Sequence, residues 1–73
     1  MRFSNGVYAK VEFKTQSKGY KSTHFSGCSE DLYDEIEYHF GHEVAADTSS
    51  WSELASVGEV YEHDEFIIEM VEV

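Results

Sequence analysis

The stretch Ser29–Phe40, SEDLYDEIEYHF, decides how the chain is read. Leu32, Ile36 and Phe40 recur every four residues with Tyr33 one position on, so an amphipathic helix over this stretch places them on a single apolar stripe. The remaining positions carry Glu30, Asp31, Asp34, Glu35 and Glu37 with no lysine or arginine among them. Charge pairs three and four residues apart on such a surface repel. Ser29 is a good N-cap, Glu30 and Asp31 suit the positive end of the helix dipole, and Gly41 is a natural stop. Asp34, Glu35 and Glu37 lie past the reach of that dipole, so the helix does not require them.

Working outward, Gly6 to Thr15 alternates strictly, with Val7, Ala9, Val11 and Phe13 on one face and Tyr8, Lys10, Glu12 and Lys14 on the other. That pattern predicts a half-buried strand. Gln16 to Gly19 has turn composition and Tyr20 to Ser26 reads as a second strand, which completes a hairpin. Beyond the helix, His42 to Asp47 reads as a connector. Ser50-Trp51-Ser52-Glu53 fits a capping box that starts a short helix to about Val57, with Trp51 and Leu54 packed on the core. Gly58 then breaks the chain, and Glu59 to Glu62 and Glu65 to Val73 form a last hairpin around His63-Asp64. The final strand is apolar on both faces, with Phe66, Ile68 and Met70 on one and Ile67, Val71 and Val73 on the other, as expected of a central strand. The expected fold is α+β: a small antiparallel sheet of about four strands in two hairpins, one amphipathic helix across a face, order ββαββ, and a short second helix before the last hairpin as an option. No repeat, low-complexity tract or linker divides residues 1–73, so a single small acidic domain is expected.

The 73 residues carry a formal net charge of −10, and the asymmetry of that charge matters more than its size. All five basic residues, Arg2, Lys10, Lys14, Lys18 and Lys21, precede Ser22, whereas Ser22 to Val73 holds 14 acidic residues and no lysine or arginine. With 41% apolar and 15% aromatic residues, this is the composition of a folded acidic domain rather than a disordered tail. Cys28 is the only cysteine, so neither an internal disulfide nor a CxxC pair exists. No apolar run spans a bilayer and no secretion signal is evident, so a cytoplasmic protein that does not engage a membrane is expected.

These residues offer several candidate chemistries. His39 and His42, with Glu35 and Glu43, have a spacing that a divalent metal accepts, but no second ligating pair accompanies them, and neither metal nor cofactor is expected. Cys28 at the helix start with His24 four residues earlier is a weak nucleophile–base pattern; without an oxyanion motif or phosphate loop beside it, no catalytic residue is assigned. Direct nucleic-acid binding is disfavoured, because Lys10, Lys14, Lys18, Lys21 and Tyr20 of the first hairpin form the one basic patch on a strongly anionic body. Tyr8, Tyr20, Tyr38 and Tyr61 are candidate interface anchors.

The acidic rows are the stronger signal. Helix carboxylates at these spacings stand roughly 5–6 Å apart, and alternate strand positions such as Glu65 and Glu69 repeat at multiples of roughly 6.6 Å. Both match the scale of phosphates along a nucleic-acid backbone. Asp31, Asp34, Glu35, Glu37 and Tyr38 on the helix are therefore the candidate partner-binding residues, with Glu62, Asp64 and Glu65 at the last hairpin as a second cluster. In size and charge the chain resembles the small acidic inhibitors that phages direct against host nucleic-acid machines: anti-CRISPR proteins, antirestriction proteins and DNA-glycosylase inhibitors. That resemblance implies a non-enzymatic inhibitor that binds a basic nucleic-acid-binding protein or nuclease complex, acting by nucleic-acid mimicry or by blocking the nucleic-acid site. The alternative is a small structural or regulatory adaptor that forms a homodimer through an edge strand, its acidic surface merely solubilising. Salt separates the two, since ionic strength weakens an electrostatic interface and spares an apolar one.

Overall fold

The computed structural model describes residues 1–14 and 23–73. The elements run β1 (Val7–Phe13), β2 (Thr23–Ser26), α1 (Ser29–Phe40), α2 (His42–Leu54), β3 (Val60–Glu62) and β4 (Phe66–Glu72). All four strands join one antiparallel sheet in the order β2-β1-β4-β3, so the fold is α+β with chain order ββααββ. β4 is central, as its two apolar faces predicted. It pairs with β1 from Val7↔Glu72 to Phe13↔Phe66 and with β3 on its other side. The predicted loop at 16–19 and the start of the second strand at 20–22 lie outside the described residues.

Alternation along the central strands sorts the sheet into two faces. Ala9 and Val11 of β1 with Phe66, Ile68 and Met70 of β4 are fully buried, and they meet Leu32 and Ile36 of α1 and Ala45 of α2 in one core. Both helices lie on this face, α1 packed along α2. On the opposite face Phe25 and Val60 are about half exposed, beside an ion pair between Lys10 Nζ and Glu12 Oε1 at 2.8 Å.

The helix at 29–40 forms over the predicted residues, with its cap shifted by one. Cys28 is the N-cap and makes no side-chain cap bond; Ser29 is the first helical residue and is buried. Its hydroxyl donates to Glu53 Oε2 at 2.7 Å and accepts from the Met1 ammonium at 3.0 Å, tying the start of α1 to the end of α2. Tertiary partners outcompeted the local cap. Gly41 stops α1 as expected: its N–H donates to Glu37 O at 3.0 Å, and its φ of 90° with ψ of 174° is backbone that glycine alone adopts readily.

The same Gly41 caps α2, which is the main departure from expectation. His42–Asp47 is helical, not a connector, and the helix ends at Leu54 rather than near Val57. Ser50, read as the cap of a short helix, sits exposed in the middle of a long one. The serine- and threonine-rich sequence signals a loop, but the hydroxyls find partners within the helix: Thr48 Oγ1 donates to Ala45 O at 3.1 Å and Ser52 Oγ to Ser49 O at 2.7 Å. So satisfied, Ala45, Thr48 and Ser52 are buried at helical spacing on α2, which packs along α1. Trp51 packs on the core margin with its ring 5.5 Å from Tyr61, whereas Leu54 is 88% exposed and does not pack as expected.

Candidate functional site

On α1, residues advance about 100° around the axis per position. Burial of Leu32 and Ile36 therefore turns Asp31, Asp34, Glu35 and Tyr38 outward together. These four line an open groove of about 310 Å³ whose other wall is His24 and Phe25 of β2. Asp31 and Asp34 are exposed, with no hydrogen-bond or ion-pair partner among the described residues. Tyr38 is 85% exposed, a large ring left standing in water beside them. Phe25, which the sequence reading did not single out, offers a second exposed ring across the groove.

Glu35 differs from its neighbours. Its side chain is 25% exposed, and its two oxygens face two imidazoles: Oε1 lies 3.4 Å from His24 Nδ1 and Oε2 lies 3.1 Å from His39 Nε2. The expectation that every charged pair on the helix repels is therefore corrected, because His39 four residues on gives Glu35 a partner when protonated. His24 was read beside Cys28; its ring nitrogen faces Glu35 instead.

Glu37 points to another flank, where its carboxylate accepts from Tyr33 Oη at 3.5 Å and does not line the groove. Loss of water around the phenol, then the nearby Glu37, raises the Tyr33 pKa above its ordinary value. Glu30 pairs with the Met1 ammonium. The hydrogen bond from that ammonium, followed by the backbone N–H at Glu30, lowers the Glu30 carboxyl, and the same bond raises the Met1 amine.

Glu62, Asp64 and Glu65 form a separate cluster at the β3–β4 turn. Phe40, at the last turn of α1, has its ring 5.7 Å from His63. The turn therefore sits at the far end of the helix from Asp31, a rise of roughly 14 Å along the axis. Lys14 Nζ partly offsets the charge there, 3.1 Å from Glu62 Oε2, and Lys14 N donates to Glu65 O at 2.8 Å. His63 Nδ1 accepts from Glu65 N at 3.0 Å while the imidazole stacks on Phe66 at 4.5 Å, which fixes the turn. Of the eight candidate residues, the structure thus gathers Asp31, Asp34, Glu35 and Tyr38, and leaves Glu37 and the turn cluster apart.

Of the basic patch, Lys10 is paired with Glu12 and Lys14 with Glu62, while Tyr20, Lys18 and Lys21 lie outside the described residues. The hydrogen bond to Glu12 raises the Lys10 ammonium above its ordinary range. Among the described residues no group of three or more His, Cys, Asp or Glu is arranged to hold a metal ion, and His42 lies exposed beyond Gly41 at the start of α2. Among them also, no helix is long and apolar enough to cross a membrane.

Comparison of the chain with protein-family models, with curated proteins and with solved structures found no match.

Proposed function

We propose that this protein is a non-enzymatic acidic inhibitor whose α1 surface engages a basic, nucleic-acid-handling protein in the cytoplasm, after the manner of phage anti-defence proteins. The support for this is the placement of Asp31 and Asp34, exposed and unpaired among the described residues, next to Glu35 and the exposed Tyr38 ring. A basic groove that holds phosphates meets there carboxylates at comparable spacing, and attraction between the two surfaces speeds association. Tyr38 supplies the desolvated ring contact that rim charges do not.

The test is capture on the immobilised protein from a lysate of a CRISPR-bearing bacterium, eluted by a salt gradient and repeated with an Asp31→Lys/Asp34→Lys variant. The expected result is a nucleic-acid-binding protein that elutes with salt, is displaced by free DNA and is lost with the variant. Retention that ignores both salt and the double reversal would point instead to the adaptor reading.

A further inference from the structure

Among the described residues β2 is an edge strand, paired to β1 on one side only. Successive residues of a strand point to opposite faces of the sheet, yet the adjacent His24 and Phe25 both line the groove against α1. A groove reached from both faces of one strand runs along that strand's open backbone edge. Among the described residues, the backbone bonds outside the regular elements include none made by Thr23 to Ser26. The near wall of the groove is thus β2, whose outer edge is unpaired among the described residues, and the far wall is Asp31, Asp34, Glu35 and Tyr38 of α1.

We infer that an extended basic segment of the partner adds to β2 as a fifth strand, with its alternate arginine or lysine side chains facing Asp31, Asp34 and Glu35. This rests on the proposed function and specifies how its site is occupied. An added strand lies about 4.8 Å from β2 and repeats its side chains on one face roughly every 6.6 Å, close to the 5–6 Å or so between facing carboxylates on the helix. Main-chain bonds supply affinity and the alternate side chains supply selection, as in other strand-addition complexes. Tyr38 flanks the path on the helix side as an exposed ring on which a guanidinium stacks, and Phe25 offers an exposed ring to the intervening apolar side chains on the other face. A second copy of this chain fits worse, since it would bring its own helix carboxylates against these. The β3 edge is three residues long, and the groove residues from α1 do not extend to it.

The probe is a capped octapeptide of alternating arginine and valine, set against the same peptide N-methylated at every amide, which keeps the charge and removes the strand hydrogen bonds. Binding is followed by amide chemical shifts and by hydrogen exchange on the intact protein. The expected result is about tenfold or more tighter binding of the unmethylated peptide, with slowed exchange within Thr23–Ser26 and shifts at Phe25 and Asp34. Equal, salt-sensitive binding of both peptides overturns strand addition while leaving the acidic-surface reading in place. Binding of neither peptide also overturns it, and the capture experiment then judges the acidic surface separately. Protection of the β2 amides that rises with protein concentration without peptide overturns it in favour of a homodimer.

Discussion

His24 Nδ1 lies 3.4 Å from Glu35 Oε1, across the gap between the edge strand and the acidic helix. One partner comes from a four-residue strand and the other from the middle of α1, so the contact holds β2 at the wall of the groove. With side chains 37% and 25% exposed, the pair with His24 protonated is worth no more than a partly solvated ion pair, about 0.2–1 kcal/mol. A double-mutant cycle on His24→Ala and Glu35→Ala is expected to give a coupling in that range, together with faster amide exchange confined to β2. Zero coupling with unchanged exchange would mean the contact does not position the strand.

Charge reversal at Asp31 and Asp34 should weaken capture of the basic partner by about tenfold or more, while reversal at Glu37 alone should weaken it far less, because Glu37 faces Tyr33 on another flank. Both variants should melt within about 0.5 kcal/mol of the parent, as surface substitutions do. Equal loss from Glu37→Lys would show that the partner covers the whole helix and not the groove side.

Ser50 separates the two readings of residues 42–57. A helix N-cap replaced by alanine loses about 0.5–2 kcal/mol, whereas an exposed mid-helix serine replaced by alanine gains a few tenths. Since Ser50 lies within α2, Ser50→Ala is expected to leave the melting temperature unchanged or slightly raised. A clear drop would restore the short helix.

Ala45 is fully buried where α2 meets the core, so Ala45→Leu should cost about 1–3 kcal/mol by overpacking. Leu54→Ser, at a side chain 88% exposed, should be close to neutral. Urea unfolding of the two variants reads this order directly, and a larger loss from Leu54→Ser would place Leu54 in the core.

Glu30 governs part of the acid limb of stability. Its carboxyl is lowered from 4.5 in the folded state, so its contribution is present above the unfolded value and lost as pH falls through the folded one. The Met1 amine is raised from 8.0, so the same contact is lost again as pH rises through its folded value. Melting temperature measured against pH should therefore flatten at both limbs in Glu30→Gln. An unchanged acid limb would show that the contact adds nothing measurable.

Much of the sheet and of α1 was legible because periodicity survives there: the two-residue alternation of Val7 to Phe13 and the four-residue recurrence of Leu32, Ile36 and Phe40 each specify a face. The second helix was not legible. Its buried residues are Ala45, Thr48 and Ser52, so its buried stripe carries almost no apolar signal.

By itself the sequence determined the acidic helix, the two-faced final strand and the segregation of basic from acidic residues, because each is a local pattern that burial on one side of an element must obey. Tertiary structure alone decided which carboxylates lie together. It brought Asp31, Asp34, Glu35 and Tyr38 against His24 and Phe25, and turned Glu37 toward Tyr33. The rotation of a helix about its axis is fixed by what its apolar stripe packs against, and the neighbour of an edge strand by how the sheet orders its strands. Neither is written in the spacing of charges along the chain.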